Sequence, residues 1–261
     1  MYKIIITLLL FSSFLFSHHV DEKNGKLRIT YAEYWAPYSY KDKNGEMHGI
    51  LIDLLDELLA KKMHLEIEHI GFPWNRAQAL SEKGIYDAII TNPTEKRLLK
   101  FVSNKEPLIS LEWRGFTTKN SQHYDELINM PNPLLKKDII FCSVLGDKST
   151  ESLYNMYNIN SHKSKNVERA ARMLNSNRSG FFVNAKLTML DTIHRLKLQD
   201  SIVMHKKIYK AVPFTLLISN ASDYHKEILK GLDVIVKEMK ESGEYQKLLD
   251  RLIANEFKKY Q

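Results

Sequence analysis

The sequence predicts an α/β protein with a parallel sheet, on three observations. Apolar or alternating runs at 27–32, 65–70 and 86–90 are separated by segments with apolar residues at helical spacing, which is the strand, helix, strand, helix, strand order of a parallel sheet. A fresh unit of the same kind begins with the apolar run Ile139 to Val144. The C-terminal segment then carries two amphipathic helices.

Ahead of the first strand lies a different kind of segment. Lys3 precedes an apolar run from Ile4 to Leu10, continued by Phe11, Phe14, Leu15 and Phe16 and closed by Ser17, a small residue at which a signal peptidase cuts. Residues 1–17 are therefore read as a cleaved secretory signal. A membrane anchor needs about 20 apolar residues, and Ser12 and Ser13 interrupt this run. The remainder has no comparable stretch, so an exported, soluble protein is expected. No cysteine closes the signal, which argues against a lipid anchor.

The first strand places Leu27, Ile29 and Tyr31 on one face, the pattern of a half-buried strand. It opens onto an aromatic loop, Glu33-Tyr34-Trp35-Ala36-Pro37-Tyr38. A turn at Lys43-Asn44-Gly45 and a glycine at 49 introduce a helix with Leu51, Leu54, Leu55 and Leu58 on one face. After the second strand, Pro73 to Arg97 reads as a short helix carrying Trp74 and Arg76, a turn at Lys83-Gly84, a buried strand from Tyr86 to Ile90 and a polar bend leading to Arg97. Ligands of open α/β sheets bind outside the carboxyl ends of the strands. The loop at 33–38 and the bend at 91–97 both lie at such ends.

Between Glu106 and Gln122 the periodicity lapses, and an extended run from Trp113 to Thr118 marks a crossing into a second lobe. There the strand Ile139 to Val144 is followed by a turn, Gly146 to Glu151, that enters a helix with Ser149 or Thr150 as N-cap. A helix from about Asn166 to Leu174, a strand at Phe181 to Val183 and a helix through Leu187, Leu190 and Ile193 complete the lobe. Two extended runs within 201–218, separated by Lys206-Lys207, form the return crossing. The final helices, lined by Ile228, Leu232, Ile235 and Met239 and by Tyr245, Leu248, Leu249 and Leu252, break at Ser242-Gly243.

Composition excludes several functions. With 44% hydrophobic and 26% charged residues the chain is an ordinary globular one. The formal charge of +7 becomes +6 when Lys3 leaves with the signal, and the lysines are spread along helix faces, so no nucleic-acid footprint is evident. The single cysteine, Cys142, lies in the apolar IIFCSV strand and is read as a buried small hydrophobe. The ten histidines form no HExxH or similar motif, and His18-His19 read as a frayed terminus. No nucleophile elbow and no phosphate-cradling glycine loop is present. No catalytic residue, metal site or cofactor is expected.

The candidate site is a binding site. Arg97 follows a strand and a Thr-Glu-Lys turn, where its guanidinium fork can hold a carboxylate by two parallel hydrogen bonds. Thr91 and Asn92 add polar groups at the same strand end. Trp35 and Trp74, two of three tryptophans, fall in loop positions facing that cleft, the alternative for each being partial burial as a core or hinge anchor. Ser149 and Thr150 either cap their helix or offer hydroxyls and N–H groups to an anion.

Six marks run through the chain in order: W-A-P-Y at 35–38, N-G-x-x-x-G with I-D-L at 44–54, P-W-x-R-A at 73–77, G-x-Y-D-A at 84–88, T-E-K-R at 94–97 and G-x-Y-x-K-L-L at 243–249. Together they resemble the periplasmic solute-binding proteins of the amino-acid-binding type, extracellular solute-binding family 3, partners of ABC importers. The resemblance implies a two-lobed type II periplasmic binding protein fold with two hinge crossings, lobe 1 being 26–113 with 208–261 and lobe 2 being 114–207. It implies that Arg97 holds a ligand carboxylate, that Asn92 and Trp35 touch the ligand with Trp74 beside them, and that Gly146, Ser149 and Thr150 assist from lobe 2. The implied partners are a small amino-acid-like solute and an ABC transporter permease, and the implied state is a monomer.

One departure stands out. Where the family places an aspartate to pair with an α-ammonium, this sequence has Ala185, in Arg178-Ser179-Gly180-Phe181-Phe182-Val183-Asn184-Ala185. Leaving a buried ammonium unpaired costs several kcal/mol. Either Glu33, Glu112 or Asn184 substitutes, or the ligand is not an ordinary α-amino acid, and the second is favoured. Arg76 is a second anion contact if it faces the cleft. Competing readings are a periplasmic lyase of the cyclohexadienyl dehydratase type, with Glu33 or Glu112 as acid or base, and an orphan sensor without a transporter.

Overall fold

A computed structural model describes residues 25–260. The secretory signal read at 1–17 and His18-His19 lie outside the described residues.

Strand β1 (Leu27–Ala32) is followed by a small antiparallel sheet of β2 (Tyr34–Trp35), β3 (Ser39–Lys41) and β4 (Met47–His48). Helix α1 (Ile50–Leu55) continues as a π-helical turn to Lys62. Then come β5 (Ile67–Phe72), α2 (Trp74–Glu82), β6 (Ala88–Thr91), α3 (Glu95–Leu98), β7 (Phe101–Ser103) and the long β8 (Ile109–Thr118). The second half holds α4 (Tyr124–Asn129), β9 (Phe141–Val144), α5 (Lys148–Met156), β10 (Ser161–Ser164), α6 (Val167–Asn175), β11 (Phe181–Ala185) and α7 (Lys186–Arg195). Strand β12 (Ile202–Ser219) returns to helices α8 (Ile228–Glu241) and α9 (Glu244–Phe257).

The strand order is β10-β9-β11-β8-β12-β6-β1-β5, with β7 also on β12. Parallel pairs build both ends, β5-β1-β6 and β10-β9-β11, as the strand and helix alternation requires. The antiparallel pair β8 and β12 joins them, running from Ile109 beside Phe214 to Thr118 beside Ile202. Where two extended runs were expected, there is one 18-residue strand. Its pairing is shifted by bulges between Met204 and Lys210, which bracket Lys206-Lys207, so the polar break bends the strand without ending it.

The apolar cores follow this division. One gathers β1, α1, β6, the start of β8 and both C-terminal helices, with Leu187 reaching it from α7. Two others lie on opposite faces of the β10-β9-β11-β8 end of the sheet, because consecutive strand residues point opposite ways. Phe182 packs with Phe116 and Cys142 under α6 and α7, and Phe181 with Phe141 and Tyr154 under α4 and α5. Burying each such ring contributes about 1.5–3 kcal/mol.

Strand β1 is covered on both faces rather than half-buried. Thr30, which alternation points away from the leucine face, is fully buried and lies 3.2 Å from the Ala77 carbonyl and 2.9 Å from the Ser81 hydroxyl on α2. The strand expected from Tyr86 starts at Ala88, because the Asp87 carboxylate is held by the backbone N–H and the guanidinium of Arg28 and by the Ser222 hydroxyl.

Candidate functional site

The aromatic segment after β1 is a hairpin. Tyr34 pairs with Tyr40 and Trp35 with Ser39, and the turn is pinned on the start of α1 by the N–H groups of Ile50 and Leu51, which donate to the carbonyls of Pro37 and Tyr38. Gly49 permits this approach, since at φ 119 a Cβ would stand 2.6 Å from the Tyr38 oxygen. The hairpin turns Trp35 across the mouth of the sheet, 4.6 Å from the Tyr38 ring centre and 5.8 Å from that of Phe214 on β12.

The carboxyl ends of β1 and β6 open side by side, and between them and β12 lies a cavity of about 580 Å³. Of the residues singled out from sequence, Glu33, Trp35, Trp74, Thr91, Asn92, Arg97 and Ser149 all line it. Trp74 is there because Pro73 ends β5 and opens α2. The polar bend after β6 is a short helix, α3, with Thr94 as N-cap, and one turn is enough to swing Arg97 back over Trp74, its guanidinium carbon 5.4 Å from the ring centre. The partners of that guanidinium are neutral: Nε donates to Gln78 Oε1 at 3.1 Å, and Nη1 donates to the Asn92 carbonyl at 3.1 Å and to Asn92 Oδ1 at 2.5 Å. Among the described residues no carboxylate lies within 4.0 Å of it. Burial lowers its pKa from the ordinary value, with Glu82 acting in the opposite sense, and an arginine stays charged regardless.

Glu33 is the one carboxylate among the described lining residues. It is buried, and it is bonded at 2.8 Å to Lys41, whose ammonium also donates to the Gly71 carbonyl. Glu112 lies elsewhere, in a cavity of about 600 Å³ formed with Lys186 and the C-terminal helices, and it is paired with Arg114 at 2.7 Å. Arg76 is exposed, with its guanidinium carbon 5.0 Å over the Phe72 ring, and is not among the lining residues.

The second half contributes differently from the expectation. The N-cap of α5 is Asp147, whose carboxylate accepts from the N–H groups of Ser149 and Thr150 at 3.1 and 3.2 Å, so those two residues sit inside the first turn. Thr150 is fully buried, its hydroxyl 2.7 Å from Asp147 Oδ2 and 3.1 Å from the Val183 carbonyl. Asn184 is also buried, donating to Asp147 Oδ2 at 3.3 Å, and faces an adjoining cavity of about 500 Å³ that shares Tyr34, Trp35 and Trp113 with the first.

Sequence reasoning passed over Trp113, Lys210 and Phe214. They come from the crossing strands β8 and β12 and line the same cavity as Arg97. Lys210 lies 5.9 Å from the Trp113 ring centre, and the Trp113 indole N–H is buried without a partner. Trp113, the third tryptophan, was the available signal. The floor is otherwise apolar, with Tyr31, Leu51, Ile90 and Val212. Ala185 is buried at the β11–α7 junction and supplies no charge.

The family described as bacterial extracellular solute-binding proteins, family 3, matches residues 27–255. No curated protein matches the chain. Among solved structures, an ancestral cationic amino acid solute-binding protein is 22% identical, with 88% of this chain and 96% of that chain covered at a TM-score of 0.69. A putative ABC-transporter binding component from Wolinella succinogenes, complexed with lysine, is 19% identical over 88% of this chain and 96% of that one at 0.64. A histidine kinase sensor domain with similarity to periplasmic binding proteins is 16% identical over 87% and 95% at 0.62. These likenesses establish the two-lobed type II binding fold.

Proposed function

Because the chain belongs to the bacterial extracellular solute-binding proteins, family 3, we propose that it binds a small carboxylate-bearing, amino-acid-like solute between its lobes and closes on it by hinge motion. The observation that carries this is Arg97, a half-buried guanidinium at the carboxyl end of the sheet, stacked over Trp74 and bonded only to neutral groups. Holding it in a partly desolvated cavity without an anion is costly, and a ligand carboxylate relieves that cost. Trp35 and Phe214 supply an apolar wall for the rest of the solute.

In this reading lobe 1 is 26–113 with 208–261, lobe 2 is 114–207, and the paired crossings are the hinge. The separation of the apolar cores along that division supports it. A solute held on lobe 1 gains contacts from Ser149 and the crossing strands on closure, which shifts the open and closed populations. Export to the periplasm, a monomeric state and delivery to an ABC importer complete the proposal. The protein acts as a receptor rather than a lyase in this account, since Glu33 is engaged by Lys41 and Glu112 by Arg114.

Native mass spectrometry of gently purified protein identifies the retained solute, and calorimetry with that solute then tests Arg97→Ala. Losing two charged hydrogen bonds weakens binding about a hundredfold or more, while the melting temperature stays close to that of the parent. Equal affinities for parent and variant sink the assignment.

A further inference from the structure

Charge balance inside the cavity points to a narrower class of ligand. Three charged side chains line it among the described residues: Glu33, Arg97 and Lys210. Glu33 is neutralised by Lys41 at 2.8 Å. Arg97 has only neutral partners. The Lys210 ammonium has no carboxylate within 4.0 Å among the described residues and rests near the Trp113 ring. Two cations therefore face one cavity without counter-charge. The Trp113 ring beside Lys210 also carries a buried indole N–H with no acceptor. Apolar and aromatic side chains line the same cavity: Trp35, Trp74, Val212 and Phe214.

We propose that the site takes a small dicarboxylate with an apolar or aromatic middle and no α-ammonium group, one carboxylate on Arg97 and the other on Lys210. This rests on the reading of Arg97 as the carboxylate anchor and adds Lys210 as the residue that sets specificity. An ammonium-bearing ligand would have to displace Lys41 from Glu33 or remain unpaired, and each alternative is unfavourable in a desolvated cavity. A second carboxylate instead gives the Lys210 ammonium a counter-charge that it otherwise lacks among the described residues.

Three probes of matched shape separate the possibilities: phenylsuccinate, with two carboxylates, 3-phenylpropionate, with one, and phenylalanine, with one carboxylate and an ammonium. Tryptophan fluorescence and calorimetry on the full mature chain read the affinities. Phenylsuccinate is expected to bind about ten- to a hundredfold more tightly than 3-phenylpropionate, and phenylalanine most weakly. Lys210→Met should bring phenylsuccinate to the level of 3-phenylpropionate while leaving 3-phenylpropionate unchanged, and Arg97→Met should weaken both. Lys210 is exposed, so its replacement leaves folding intact. Phenylalanine binding more tightly than phenylsuccinate, or Lys210→Met lowering both acids equally, overturns the inference, and Arg97 dependence of phenylalanine would then preserve the carboxylate reading. Binding of probes without dependence on Arg97, or no binding of any probe, overturns both.

Discussion

His205 should make the bulged part of β12 sensitive to acid. It is fully buried at the bulge of β12. Its Nε2–H donates to the Met130 carbonyl at 3.0 Å, and its Nδ1 accepts from the Lys207 backbone N–H at 3.1 Å. These partners require the neutral imidazole, since a proton on Nδ1 would point at another donor. Burial depresses the histidine pKa below its ordinary 6.5, the Met130 bond opposes this, and the nearby charges of Lys206, Lys207 and Arg114 add to the depression. With the folded value below the unfolded one, the unfolded chain binds more protons on acidification. The stability His205 contributes is therefore present above about pH 6.5 and lost as the pH falls from there through the folded value. His205→Ala removes two hydrogen bonds and strands a buried carbonyl and a buried N–H, a loss of roughly 3 kcal/mol. For a chain of this size that lowers the melting temperature by roughly 6–12 °C. Urea denaturation followed by circular dichroism, at steps between about pH 5 and pH 8 around the histidine range, should show the gap between parent and variant narrowing as pH falls. A gap below about 1 kcal/mol at neutral pH, the lower bound for one such buried group, or a gap that does not change with pH, would refute the reasoning.

Two further outcomes follow from particular contacts. Asp147→Ala should cost about 1–2 kcal/mol of stability through loss of the α5 cap, and Ser149→Ala under about 0.5 kcal/mol, both read by denaturant titration. Equal costs would return the cap to Ser149. Cys142 is fully buried, and burial pushes its thiol up to about 11. It should ignore a disulfide reagent in the native protein at mildly alkaline pH and react once the chain is unfolded, so prompt native reaction would contradict its placement.

Much of the candidate site was legible because it is local. Trp74 and Arg97 sit within one helix, strand and turn, and the polar residues Thr91 and Asn92 necessarily fall at the end of a buried strand. The Asp147 cap was less legible. Aspartate, serine and threonine within one turn are all competent caps, and backbone angles decide among them. Arg76 could not be placed at all from its helical position, because the Phe72 ring that holds it belongs to the preceding strand. Glu112 read as a cleft residue because its strand crosses between lobes, yet strand residues alternate, and its side chain faces the other cavity.

Periodicity by itself determined the parallel α/β architecture, the two amphipathic closing helices and the strand ends at which a ligand would sit, because hydrophobic spacing records which face of each element is buried. Only the tertiary structure decided which charges meet. Lys41 reaches Glu33 across the small hairpin, while Lys210 and Trp113, distant in sequence, come together in the cavity that Arg97 also lines because β8 and β12 pair side by side. A charge's worth in a cavity depends on its neighbours within a few ångströms, and those neighbours are set by folding rather than by sequence distance.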